Sequence, residues 1–144
     1  MADIIYNQFM GALGSGVIDW ENDTLRAALV SGNIYSPDAD DNYWSDVSQY
    51  EIHNGNGYTI SGYLVVGALD VQDGSNNVKY DITNPTWTAS GASIIASGCV
   101  LYDQSTVEEH LIYYFDFAED KEAADGADFT ISISSDGLMT AAQA

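Results

Sequence analysis

The stretches SIIASGCVLY, Ser93 to Tyr102, and LIYYFDF, Leu111 to Phe117, decide how this chain is read. Each is long and apolar enough to be a central strand. The second places Tyr113-Tyr114 and Phe115 with Phe117 so that both of its faces are aromatic. A strand with two apolar faces is buried on both sides, by its own fold or by another subunit. Downstream, Glu119 to Asp128 reads as an acidic loop rich in Ala and Gly. Phe129, Ile131 and Ile133 then alternate as a strand with one buried face does. Gly137 turns the chain into a last strand through Leu138 and Met139.

Upstream the same pattern continues. Thr86 to Thr88 is a short strand around Trp87. Val78 to Ile82 alternates, with Lys79 and Asp81 opposite Val78, Tyr80 and Ile82. Asp73 to Asn77 is a turn, and Tyr63 to Val71 is an apolar β run. The His53 to Gly57 segment is a turn of Asn and Gly. Tyr43 to Tyr50 predicts one or two helical turns, capped by Asp41 or Asn42, with Trp44 and Val47 on one face. Ser36 to Asp41 is a loop around Pro37. Val17 to Trp20 and Thr24 to Val30 read as strands of an early hairpin closed by Glu21-Asn22-Asp23. Ile4 to Leu13 predicts a short helix or docking arm, capped by Asp3 and ended by Gly14-Ser15-Gly16.

Strands recur roughly every ten to fifteen residues with no long amphipathic helix between them, which excludes βαβ units. The expected fold is all-β: one antiparallel β-sandwich or barrel-like domain over residues 1–144, with a short N-terminal helix or arm. About eight to ten strands are expected. The expected core includes Leu29, Val65, Leu69, Ile95, Val100, Ile112, Phe115 and Ile131.

The charge is strongly one-sided. Asp and Glu number 22 against three basic residues, Arg26, Lys79 and Lys121, for a net charge of −19. So few cations neutralise almost none of the carboxylates. Most must sit in water and repel one another, which favours solubility and costs some stability. Duplex nucleic acid and anionic membranes are disfavoured partners, because both are bound through Lys and Arg. Cations, basic protein surfaces and neutral ligands remain open. The 46% apolar content excludes disorder. A single cysteine, Cys99, excludes an internal disulfide and reads as a buried inert thiol. No signal sequence and no membrane-spanning run is expected.

No catalytic constellation emerges. Asp38-Ala39-Asp40-Asp41-Asn42 opens with the spacing of a calcium loop, but Tyr43 and Gln49 stand where Gly and Glu are needed. Asp116, Glu119, Asp120, Glu122, Asp125 and Asp128 could gather a hard cation, or form a solvated loop with Lys121 as a partial counter-ion. His53 and His110 lack zinc-ligand spacing. No serine has a nucleophile-elbow context. Asp70, Asp81 and Asp116 are the carboxylates a glycosidase reading would use. Trp20, Trp44 and Trp87 with the tyrosines could stack on sugars or fill a core. Neither catalysis nor a cofactor is expected. Ile4, Ile5, Tyr6 and Phe9 are apolar residues beside a charged body, so with Trp44 and Tyr113 they are the candidate interface residues.

Several blocks resemble a known family. They are Thr24 to Val30 (TLRAALV), Tyr43 to Val47 (YWSDV), Gly55 to Gly62 around Gly57-Tyr58-Thr59, Thr86-Trp87-Thr88, Ala96 to Tyr102, and Phe115 to Lys121 leading into Asp128-Phe129-Thr130-Ile131. Spread in order along nearly the whole chain, they resemble the small structural proteins of tailed bacteriophage particles, of the head and head-decoration kind. Such relatives usually carry more Lys in the first block, where this chain has Arg26 and then Ala27-Ala28. The resemblance implies a non-enzymatic virion component. It does not by itself distinguish head from neck or tail; the negative charge points to the outer capsid surface, away from packaged DNA, and with that go assembly in the host cytoplasm, the major capsid protein as partner, and a homo-oligomer, with a trimer preferred. A neck or tail protein, or a carbohydrate-binding adhesion module, is the alternative.

Overall fold

A computed structural model of the protein describes residues 3–31 and 35–142. Strand makes up 45% of it and helix 13%, which makes the fold all-β. Among the described residues ten strands and two α-helices follow in the order β1 (Ile4–Ile5), α1 (Asn7–Gly14), β2 (Leu25–Val30), α2 (Trp44–Val47), β3 (Tyr63–Val65), β4 (Gly67–Gln72), β5 (Asn77–Ile82), β6 (Thr86–Thr88), β7 (Ile94–Asp103), β8 (Leu111–Ala123), β9 (Asp128–Thr130) and β10 (Met139–Ala142). They form a five-stranded sheet in the order β1-β8-β7-β2-β3, a three-stranded sheet β10-β5-β4 and a two-stranded pair β6-β9. Every strand pairing is antiparallel.

The large sheet is buried on both faces, which is why β2, β7 and the first half of β8 read as continuous apolar runs. On one face Leu25, Ala27, Leu29, Cys99, Leu101 and Ile112 meet Phe9 of α1, Trp20, Ile82, Trp87 and Phe129. On the other, Ala28, Val30, Val100, Tyr102, Leu111 and Tyr114 are covered by Tyr6, Tyr35, Trp44 and Val47. Trp44 stacks flat on Tyr102, with centroids 4.4 Å apart and planes 3° off parallel. Trp20 carries the packing into the three-stranded sheet, where its indole N–H donates to the carbonyls of Ala68 and Asp81. Gly98 is required at the bulged part of β7, because a Cβ there would meet the Tyr114 ring.

Several expectations need correction. Val17 to Trp20 is not a strand, so there is no early hairpin; β2 pairs instead with β3 and β7, far along the chain. The segment that reads as one helix from Ile4 is a two-residue strand followed by α1. Asp3 does not cap that helix: its carboxylate accepts the Tyr113 hydroxyl and the Asp116 N–H. The cap of α2 is also reversed. The Asp46 carboxylate reaches back to the N–H groups of Asn42 and Tyr43, so the acid lies inside the helix rather than before it. Tyr63 to Val71 is broken at Val66 and serves two different sheets. The loop expected over Glu119 to Asp128 is in its first half a continuation of β8, pairing through Lys121, Glu122 and Ala123 with Ala96, Ile95 and Ile94.

Six of the eight expected core residues are buried; Leu69 and Ile95 are exposed. Ile95 lies between the inward Ile94 and Ala96, and the two-residue period turns it out. Leu69 lies in β4, where Gly67 alone is buried.

Candidate functional site

The six candidate interface residues divide sharply. Ile4 and Ile5 pair with Tyr114 and Tyr113 on β8, so the N-terminal segment docks on its own chain. Tyr6 is fully buried, and its hydroxyl hydrogen-bonds to Tyr35 at 2.8 Å; Tyr35 in turn donates to Asp41. Phe9 is fully buried against Trp20, edge to face. Trp44 is buried on Tyr102. Tyr113 is half-buried, tilted against Phe115, with its hydroxyl held by Asp3. Ile4 is half-buried, and Ile5 alone is exposed. Met1 and Ala2, the rest of the expected arm, lie outside the described residues.

The apolar surface lies elsewhere. Ile60, Tyr63, Leu64, Val66, Leu69 and Val71 are all exposed, Val66 and Val71 to 60% and 62%. They fall within one stretch of twelve residues, 60–71, running through β3 and β4. β3 ends the five-stranded sheet and β4 ends the three-stranded one, so this stretch carries both an apolar face and two sheet edges. The register pairs Leu64 with Arg26, whose guanidinium donates to Gln104 and to the Gly62 carbonyl. Acids rim the far end: Asp70, Asp73 and Glu21, the last accepting the Leu69 N–H. Edges with unpaired backbone groups accept strands from other chains unless blocked by charge or bulges; here β4 is partly covered, because Trp20 donates to the Ala68 carbonyl and Glu21 holds the Leu69 N–H, while Val66 bonds to Thr83 through both its N–H and its carbonyl. Around Val66 no charged side chain interrupts the run from Tyr63 to Leu69.

The candidate chemical groups are committed to internal bonds. In the calcium-like loop, Asp38 accepts the Asp40 N–H, Asp40 accepts the Asn7 amide, and Asp41 accepts the Tyr35 hydroxyl. Burial raises the Asp41 carboxyl above its ordinary range. In the second acidic group, Glu119 pairs with Lys121 at 2.7 Å, which holds its carboxyl low. Asp125 accepts the Gly91 N–H and Asp128 the Thr88 hydroxyl. Among the described residues no three His, Cys, Asp or Glu side chains gather as a metal site would need. Asp70 and Asp81 lie on the three-stranded sheet and Asp116 on the large one. His53 is exposed in its turn, whereas His110 is buried with Nδ1 3.0 Å from the Thr106 hydroxyl. Cys99 is fully buried, which pushes its thiol pKa up and makes it a poor nucleophile.

All three tryptophans are buried, Trp44 most exposed at 8%. A sugar platform built on Trp20, Trp44 and Trp87 therefore has no open ring face. Tyr58, also buried, holds an internal network rather than a ligand.

Sequence reasoning missed the edge at Ile60 to Val71 because an apolar run looks alike inside and out. The signal that could have found it is Gly67, beside the break at Val66, with Gly62 just before β3. Comparison with known proteins finds no matching family model, no matching curated protein and no matching solved structure.

Proposed function

We propose that this chain is a non-enzymatic structural component of a bacteriophage particle, a decoration or cement protein seated on the outer face of the capsid shell. The observation that carries the reading is the exposed apolar stretch from Ile60 to Val71 on an otherwise strongly anionic body. A body carrying −19 stays away from packaged DNA and from copies of itself. A patch that is apolar and uncharged at its centre lets it sit on another protein without charge repulsion. Strand addition along β3 would supply backbone hydrogen bonds, and pockets for Leu64 and Val66 would supply specificity.

The sequence blocks that resemble phage head proteins name the partner class, a major capsid protein. The rim of Asp70, Asp73 and Glu21 adds that its contacting surface is basic at that end. Copies of the chain sit as a homotrimer about threefold positions of the shell, with the capsid rather than self-contact holding each in place. No catalytic step or cofactor is part of this role.

The test is where the chain lies in a reconstruction of the particle. Density on the outer shell between capsid subunits is the expected result. Density in the neck or tail reassigns the protein to a connector role, and absence from the particle refutes the reading. A binding assay on undecorated shells narrows the surface. Leu64→Lys with Val66→Lys should abolish attachment while leaving the fold intact, whereas Met10→Lys, on the exposed side of α1, should not.

A further inference from the structure

Among the described residues Asp103 is the one buried carboxylate, with 0% of its surface exposed. It closes β7, opposite Leu25 at the start of β2. Its Oδ1 accepts the Ser105 N–H at 2.8 Å, and its Oδ2 finds no donor. The side chain within hydrogen-bonding reach of Asp103 is that of Asp23, another carboxyl. Two ionised carboxylates are both acceptors and repel, so contact between the buried Asp103 and the half-buried Asp23 favours a proton or a cation between them. No third acid, His or Cys joins them among the described residues, so a proton is the simpler occupant. Arg26, three residues beyond Asp23, is directed to Gln104 and Gly62 instead. One proton satisfies every group: Asp103 donates through Oδ2, and Asp23 accepts.

We propose that Asp23 and Asp103 share a single proton and form an acid-closed latch between the turn leading into β2 and the turn joining β7 to β8. The surrounding bonds support a joint there. Thr24 N–H donates to the Ser105 hydroxyl at 2.6 Å, and Gln104 N–H donates to the Thr24 carbonyl at 2.8 Å. Asp23 also receives the Asp19 N–H, which ties down the turn that carries Trp20 into the three-stranded sheet. The latch therefore fixes to the large sheet the segment that seats the small one.

Burial first, and the neighbouring Asp23 second, push the Asp103 carboxyl up to about 7. The other charged or titratable groups around the joint are Asp19 and Glu21 on the first turn, Arg26 on β2, and Glu108, Glu109 and His110 on the second turn. The His110 carbonyl accepts the Asp103 N–H, and its ring meets Thr106, whose hydroxyl donates to the Asp103 carbonyl. An acid whose folded value lies above its unfolded one binds more protons when folded. Its stabilisation is complete at low pH and is lost as pH rises from the unfolded value, 3.8, through about 7. Above that the proton leaves to solvent, Asp103 becomes a buried charge beside Asp23, and the latch opens.

The experiment follows side-chain carboxyl carbons of the full chain by NMR across pH 4 to 9, in wild type and in Asp103→Asn. One Asp carboxyl should titrate near neutrality, with the Ser105 and Thr24 amides moving at the same midpoint, and the signal should vanish in the variant. If every carboxyl finishes titrating below about pH 5, the ordinary range, the proposal is overturned. Denaturant unfolding provides the second arm. Between pH 5 and 7 the wild-type unfolding constant should rise by about tenfold per pH unit relative to Asp103→Asn, the slope of one proton; parallel curves overturn it. If the variant does not fold, the wild-type titration decides alone. Saturable movement of the Asp103 signal on adding calcium at neutral pH would also overturn it, in favour of a bound cation.

Discussion

Glu51 joins three segments through one oxygen. Its Oε1 accepts the Tyr58 hydroxyl and the Ser61 N–H, each at 2.7 Å, and the Tyr58 oxygen accepts the Leu29 N–H at 3.1 Å. Burial raises the Glu51 carboxyl although its two donors pull it down, so the site as a whole contributes more stability in acid and less as pH rises through the carboxyl's range. Tyr58→Phe removes a donor from a half-buried carboxylate and an acceptor from a buried N–H. The expected loss is about 1–3 kcal/mol in denaturant unfolding; an unchanged midpoint would show that water replaces the hydroxyl. Gly62 is a second single-residue constraint. Its φ is +89°, and a Cβ there would run into the backbone of Ala27 on β2. Gly62→Ala should cost about 2 kcal/mol or more, because strain and backbone collision add. At this scale sequence reading reached chemical type and stopped. Leu69 and Ile95 are as apolar as Leu29 and Val100, yet face water, because the face a strand residue occupies is set by register with a distant strand.

Among the elements, β1 and α1 test the docking-arm idea most directly. Tyr6 and Phe9 lie in opposite cores, one on each face of the large sheet. Phe9→Ala should therefore cost about 3–5 kcal/mol, the cost of emptying a core aromatic site. Removing residues 1–13 should lower the unfolding temperature steeply rather than yield a folded protein that merely fails to attach. A truncated chain with a native circular dichroism spectrum and wild-type unfolding temperature would overturn the packing described here. The edge elements make the opposite expectation. Leu64 and Val66 are exposed, so charged replacements there should alter stability by less than about 0.5 kcal/mol while abolishing attachment. The extension of β8 to Ala123 shows how an element is lost to sequence reading. Glu119, Asp120 and Glu122 mimic a loop, but β8 runs on through them, its Lys121, Glu122 and Ala123 pair with the first residues of β7, and side chains on the solvent face are free to be charged.

For the whole molecule, like-charge repulsion is the dominant solution property. Two ion pairs engage the lysines, Lys79 with Asp136 at 3.8 Å and Lys121 with Glu119 at 2.7 Å. These two pairs engage two of 22 carboxylates, and exposed pairs are weak in water. Screening should therefore stabilise the fold: the unfolding temperature should rise from low salt to about 0.5 M, where the Debye length falls below the spacing of surface charges. A flat or falling curve in differential scanning calorimetry would show that repulsion is already relieved locally. The same screening should strengthen self-association, which sedimentation at two salt concentrations would measure.

The sequence by itself determined the class of the fold, the positions of most turns and strands, and the charge that governs which partners are compatible. These are local or additive properties: a two-residue period, a Gly-Asn turn, a sum of charges. Only the tertiary structure decided which apolar residues are core and which are surface. It moved Tyr6, Phe9 and Trp44 from candidate interface to interior, and moved the exposed apolar edge to Ile60 through Val71. It also brought Asp23 and Asp103 together across 80 residues of chain. These facts depend on strand order, and strand order is set by contacts between residues far apart in sequence, which no local pattern encodes.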